Sequence, residues 1–284
     1  SACRHTASRV TRPHRWKCFT SEIRGTGSRP NRNTLAMSKT LLITGASRGI
    51  GAETARLAAA RGYSICLNYR HDEQAATALL QSLLDAGHEA FIHQADVADE
   101  AQVMAMFEAI DAQFGHLDAL VNNAGILEPH CDLVEMSPER WRRILDVNVV
   151  GSFLCAREAV KRMATSSGGN GGAIVNVSSR AADLGSPHEY VDYAAAKGAV
   201  DSMTIGLARE IASLGIRVNA VKPGLIYTDI HAAGGEAGRV DRLKVGVPMQ
   251  RGGTPGEVAE AILWLLSDAS AYTTGSFIDV SGGR

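Results

Sequence analysis

At 284 residues, with 45% hydrophobic, 21% charged and 5% aromatic side chains, the chain has the composition of a globular protein able to bury one large core. The net charge of −1 conceals an asymmetry: residues 1–36 hold eight Lys/Arg and one acid, which leaves 21 basic and 29 acidic residues elsewhere, a net −8 that argues against a nucleic-acid partner. Apolar runs such as Ala261–Leu266 are too short to cross a bilayer, so no membrane span is expected.

Five cysteines (Cys3, Cys18, Cys66, Cys131 and Cys155) form no C-x-x-C pair, which fits reduced thiols and a cytoplasmic setting better than disulfides or zinc. The histidines lack paired ligand spacing, and His188-Glu189 has no second histidine, so no metal is expected.

Residues 1–36 have no hydrophobic period and are expected to be a disordered basic arm. Three readings of the arm stand: upstream sequence before a start at Met37, an Arg/Ser-rich transit peptide, or a functional basic arm. From Lys39 onward, short apolar runs alternate with longer helical stretches. Residues 40–44 precede a helix over 51–61, 64–69 one over 72–86, and 90–95 one over 100–114. Next, 117–122 precedes a helix over 138–163, 173–178 one over 190–212, and 217–221 one over 255–266, before a seventh strand at 276–280. Strands apolar on both faces, each followed by a helix, predict a single doubly wound α/β domain over 39–284 with a seven-stranded parallel sheet.

Between the first strand and its helix lies Thr44-Gly45-Ala46-Ser47-Arg48-Gly49-Ile50-Gly51. Glycines here permit a tight turn, and the N–H groups of the helix start can hold a pyrophosphate, although a purely connecting turn would look similar. Further along come Asn122-Asn123-Ala124-Gly125, Asn148, Tyr193-x-x-x-Lys197 and Pro223-Gly224. In this order, these motifs resemble those of the short-chain dehydrogenase/reductase family, and the resemblance covers the chain from about Lys39 onward. It implies a Rossmann-type fold and hydride transfer between a nicotinamide cofactor and a carbonyl or secondary alcohol.

The second strand ends in Asn68-Tyr69-Arg70, with no acid before Asp72. An acid there would bind the ribose 2′-hydroxyl of NAD, whereas cations suit the 2′-phosphate of NADP, so Arg70 and Arg48 point to NADP(H) unless both are merely solvated. Asp96-Val97 resembles the family's adenine-binding pair, but Asp96 equally suits a cap for the helix beginning near Asp99. The resemblance assigns cofactor contacts to Gly45, Ser47, Arg48, Gly49, Ile50, Gly51, Arg70, Asp96, Val97, Asn122, Ala124, Gly125, Tyr193, Lys197, Pro223, Gly224, Ile226 and Thr228. Asn122 and Asn123 also read as structural ties between central strands.

Tyr193 and Lys197 stand four apart on one helical face. A nearby ammonium and the positive oxidised nicotinamide favour a tyrosine phenolate, which makes Tyr193 the expected general acid/base and Lys197 its tuner. Tyr190 has Ala194 four residues on and so lacks a lysine partner. The resemblance assigns carbonyl polarisation to Ser179, in preference to Ser178, and places Asn148 in a water-mediated proton relay. Asn148 also fits a structural role bonded to the neighbouring strand.

The Ser179–Tyr193 spacing is one residue longer than is common in the family, which implies a small insertion within 184–189. Residues 229–253 are long, glycine-rich and weakly patterned, as in a mobile substrate lid. A homotetramer is implied, assembled through the long helices flanking the fifth strand and through the final strand. A 3-oxoacyl-carrier-protein reductase and a sugar dehydrogenase are the rival enzymes, and a noncatalytic NADP-binding regulator is the rival from another class. The wider Tyr–Lys spacing usual in enoyl reductases counts against that reaction.

Overall fold

The computed structural model describes residues 38–284, so the basic arm lies outside the described residues. Seven strands form one parallel sheet in the order β3-β2-β1-β4-β5-β6-β7: β1 (Thr40–Ile43), β2 (Ser64–Tyr69), β3 (Ala90–Gln94), β4 (Ala119–Asn122), β5 (Gly172–Val177), β6 (Ile216–Pro223) and β7 (Phe277–Val280). The seven-stranded doubly wound sheet expected from the β-α alternation is therefore present.

The helices are α1 (Gly49–Ala60), α2 (Glu73–Asp85), α3 (Glu100–Phe114), α4 (Pro138–Leu145), α5 (Gly151–Met163), α6 (Ala181–Leu184), α7 (Val191–Ile211), α8 (Ile230–Ala233), α9 (Arg239–Leu243) and α10 (Pro255–Leu266). Successive strand residues point to opposite faces, so each strand feeds two cores. Leu41 and Ile43 pack with Ala55, Val258 and Ile262 on one side. Leu42 packs with Phe107, Cys155 and Met203 on the other. This two-sided burial is why the strands read as continuous apolar runs.

Two features depart from the expected pattern. The helix expected over 138–163 is interrupted by a π-helical turn at Asp146–Val150, which widens the backbone where Asn148 sits. The stretch over 229–253 carries the short helices α8 and α9 where a weakly patterned lid was expected. Among the described residues, no helix is long and apolar enough to cross a membrane.

The chain passes from β1 to β4 in sheet order at the point where the first and second halves diverge. In open α/β sheets this switch point, at the carboxyl ends of the strands, is where ligands bind. A cleft of ≈ 440 Å³ opens there.

Candidate active site

The floor of the cleft begins at the turn after β1. Gly45 (φ +62°) and Gly49 (φ +57°) adopt left-handed backbone conformations that side chains with a Cβ rarely take. Thr44 fastens the turn: its Oγ1 accepts from the N–H groups of Asn123 and Ala124, each at 3.0 Å. Asn123 Nδ2 donates back to the carbonyls of Thr44 (2.8 Å) and Gly45 (2.9 Å). Asn68, which the sequence reading did not select, accepts from the Gly45 N–H at 3.2 Å and donates to Ala95 O at 3.0 Å, joining the turn to the end of β3.

Helix α1 starts without a side-chain cap and has no acid in its first turn. By contrast, Asp72 caps α2, Asp99 caps α3 and Thr254 caps α10. An uncapped helix start beside a glycine-rich turn leaves donors and a positive dipole end for an anion, so the residues present fit a dinucleotide pyrophosphate. Because Asp72 accepts from the Ala75 N–H at 3.0 Å, its carboxylate is engaged as a cap at the edge of the cleft.

Gly45, Ser47, Arg48, Gly49, Ile50, Arg70, Asp96, Val97, Ala124, Gly125, Pro223, Gly224, Ile226 and Thr228 all line this cleft, as do Ser179, Tyr193 and Lys197. Gly51 and Asn122, expected at the cofactor, do not line it. A Cβ on Gly51 would come within 2.6 Å of both Gly45 O and Asn123 Nδ2, so this glycine lets the helix close against the turn. Asn122 turns inward, donating to Asn176 Oδ1 (3.0 Å) and Ser152 O (3.2 Å), and thereby ties β4 to β5 and α5.

Beyond the end of β2, Arg70 pairs with Asp96 at 2.9 Å, and Arg48 is exposed with no side-chain bond among the described residues. Asp99, rather than Asp96, caps α3, accepting from the Gln102 N–H at 3.1 Å. Asp96 is left to Arg70 and to the Ala98 N–H.

Ser178 and Ser179, just after β5, come together with Tyr193 and Lys197 of α7. Ser178 is buried, and its hydroxyl donates to Asp201 Oδ1 at 2.5 Å, whereas Ser179 faces the cleft with its Oγ accepting from the Ala181 N–H at 3.1 Å. Between Ser179 and Tyr193 the chain forms α6 and passes through left-handed residues at Gly185, Ser186 and His188.

Lys197 is 4% exposed, and its Nζ donates to Val177 O at 2.7 Å and lies 5.6 Å from the Tyr193 ring centre. Asn148 lies beneath them, fully buried. It donates to Ile144 O (2.9 Å) and Ile126 O (3.2 Å) and accepts from the Ile126 N–H (3.2 Å). A Cβ on Gly125 would meet Asn148 Oδ1 at 2.7 Å and Lys197 Nζ at 3.5 Å, which locates all three together.

Burial pushes the Tyr193 phenol up to about 12, and the neighbouring Ser179 only partly pulls it back. Burial also pushes Lys197 down to about 8, opposed by the charge of Asp201.

A stability prediction follows from the Lys197 value. Between about pH 8 and 10.5 the unfolded chain holds a proton on this lysine that the folded chain has lost, so stability rises with pH across that window. Wild type should gain roughly 2 kcal/mol relative to Lys197→Met between pH 7.5 and 9.5 in urea melts. Tyr193 acts with the opposite sign above pH 10, where the folded chain keeps a proton that the unfolded chain loses. A difference between the two proteins that is flat with pH would show that Lys197 is not desolvated.

Other cleft residues carried no sequence signal. Tyr190 is buried and donates to Gly234 O at 3.3 Å, Arg239 stacks over it with its guanidinium carbon 5.0 Å from the ring centre, and His231 and Arg284 complete that wall. All depend on where the 229–253 stretch folds back, which no local motif encodes.

A family model described as enoyl-(acyl carrier protein) reductase matches residues 45–284. The uncharacterized oxidoreductase YgfF of Escherichia coli (strain K12) is 59% identical over 243 residues, covering 86% of this chain and 98% of that protein. A 3-oxoacyl-[acyl-carrier-protein] reductase, FabG, of Staphylococcus aureus (strain Mu50 / ATCC 700699) is 38% identical over 249 residues, covering 88% and 99%. An uncharacterized oxidoreductase of Methylorubrum extorquens is 38% identical over 247 residues, covering 86% and 97%. The switch-point cleft, the glycine turn under an uncapped helix and these near full-length similarities agree, and the chain belongs to the short-chain dehydrogenase/reductase family of oxidoreductases.

Proposed function

We propose that the protein is an NADP(H)-dependent oxidoreductase that interconverts a carbonyl and a secondary alcohol, with Tyr193 as general acid/base. The observation that carries this reading is the grouping of the Ser179 hydroxyl, the Tyr193 phenol and the Lys197 ammonium in one cleft with the uncapped start of α1. Bound NADPH supplies hydride chemistry at a carbonyl carbon. Ser179 donates a hydrogen bond to the carbonyl oxygen, and Tyr193, protonated in this state, delivers the proton that completes the alcohol.

Lys197 sits against the Tyr193 ring, and Asn148 anchors the loop after β4 on which Gly125 and Ile126 lie. Gly45, Ser47, Gly49 and Ile50 cradle the pyrophosphate, while Arg48 and Arg70 take the 2′-phosphate. Asp96, Val97, Ala124, Gly125, Pro223, Gly224, Ile226 and Thr228 are assigned to the remainder of the cofactor. Gly51 and Asn122 support the site from behind the cleft wall.

Exposed Phe153 on α5 and Ile205 on α7, with Val150 just before α5, support a homotetramer built on those helices. Cys66, Cys131 and Cys155 are free thiols, in keeping with a cytoplasmic setting. The similarity to a 3-oxoacyl-[acyl-carrier-protein] reductase favours one second reading, in which the substrate is a 3-oxoacyl thioester.

The test is to mix the protein with NADPH or NADH and a panel of ketones, aldehydes, sugars and acyl thioesters while following loss of the reduced nicotinamide absorbance. Carbonyl-dependent consumption of NADPH in preference to NADH is expected. Tight NADPH binding without turnover of any carbonyl would favour the noncatalytic regulator instead.

A further inference from the structure

Beyond Ser179 and Tyr193, the cleft wall carries two arginines that the hydride-transfer chemistry does not require. Arg239 is 7% exposed, and its Nη2 is bonded to Glu189, but its Nη1 has no hydrogen-bond partner and stands 3.9 Å from Glu236. Glu189 and Glu236 are both also engaged by Arg242, so these four side chains form a network with no net charge.

Arg284 adds a further cation. Its backbone oxygen accepts from Arg180 Nε at 2.9 Å and from Ser281 Oγ at 3.1 Å, which fixes the residue beside Ser179's chain neighbour. Its side chain lines the cleft with no hydrogen bond or ion pair among the described residues. Partial burial and the nearby Arg239 charge both push its guanidinium down, and Glu189 only partly offsets them. A buried guanidinium is ordinarily paired at each donor, so at Arg239 Nη1 a partner is missing.

We propose that the substrate is a small carbonyl compound bearing an oxyanion, a carboxylate or a phosphate, held by the guanidinium of Arg284 beside the unpartnered Nη1 of Arg239. A guanidinium offers two parallel donors to such a group, which orients as well as attracts it. This inference rests on the reductase reading and names its substrate class.

The test compares matched pairs in NADPH-dependent turnover: acetoacetate with its methyl ester, and dihydroxyacetone phosphate with dihydroxyacetone. An uncharged acetoacetyl thioester of N-acetylcysteamine is the fifth probe. At least one anionic member should exceed its neutral partner at least tenfold in kcat/KM, and which pair responds distinguishes carboxylate from phosphate. Arg284→Gln should raise KM for that anion roughly 10- to 100-fold, with kcat and NADPH affinity nearly unchanged and no effect on the neutral partner. Arg284→Lys should restore part of the loss. Calorimetric binding of the anion to the NADP⁺-loaded protein should weaken in parallel in Arg284→Gln. Turnover in which the neutral partners or the thioester serve as well, or in which Arg284→Gln changes nothing, overturns this inference alone. No turnover of any carbonyl by the wild type overturns the reductase reading and this inference with it.

Discussion

Tyr193→Phe is expected to lower kcat for NADPH-dependent reduction by roughly 10²- to 10⁴-fold while NADPH binding stays within a few-fold of wild type. The substitution removes one oxygen and leaves the ring, which keeps its packing 5.6 Å from Lys197 Nζ, and the Lys197 bond to Val177 O does not involve the phenol. Steady-state kinetics with the best carbonyl from the panel, alongside fluorescence titration with NADPH, separates the two effects. Tyr190→Phe is the control: that hydroxyl is bonded to Gly234 O and lacks the lysine neighbour, so its loss should leave kcat nearly intact. If Tyr193→Phe kept most of the wild-type kcat, the proton would have to come from another group, and the assignment of Tyr193 would fall.

The double substitution Arg48→Ala/Arg70→Ala is expected to weaken NADPH binding by roughly 10²- to 10³-fold and to leave NADH binding within about threefold. Among the described residues Arg48 has no competing partner. Arg70 is paired with Asp96, but its own side chain is 46% exposed, and a pair open to water on one side contributes about 1 kcal/mol. A dianionic phosphate brought between these arginines can therefore displace that pair. Titrations of both nucleotides at fixed ionic strength measure the ratio. Equal weakening of NADPH and NADH would place the arginines at the shared pyrophosphate instead.

Much of the scaffold was legible locally, because its causes are local. Strands buried on both faces must be apolar throughout, and residues 64–69 and 100–114 match β2 and α3 to the residue. The glycine-rich turn was readable because its left-handed positions admit few residues other than glycine, as at Gly45 and Gly49. The four-residue spacing of Tyr193 and Lys197 places both on one side of α7, where the structure has them lining one cleft.

Side-chain direction was harder to read. Asn122 and Asn123 are adjacent and chemically identical, yet in the pleat one turns into the core toward Asn176 and the other toward the β1 turn. Asp96 and Asp99 both suit a helix start, and only the placement of Arg70 beside Asp96 separates their roles.

What the sequence by itself determined was the set of local conformations and the order of the chemical groups: seven apolar strands, the turn at Thr44–Gly51, the serine pair, and tyrosine and lysine one helical turn apart. Tertiary structure alone decided which groups lose water and which gain a neighbour. Burial pushed the Tyr193 phenol up to about 12, and the fold brought Arg239 and Arg284, from distant stretches of chain, to the wall of the cleft that holds Ser179. Desolvation and long-range proximity depend on the packed assembly of all the elements, and no window of sequence contains them.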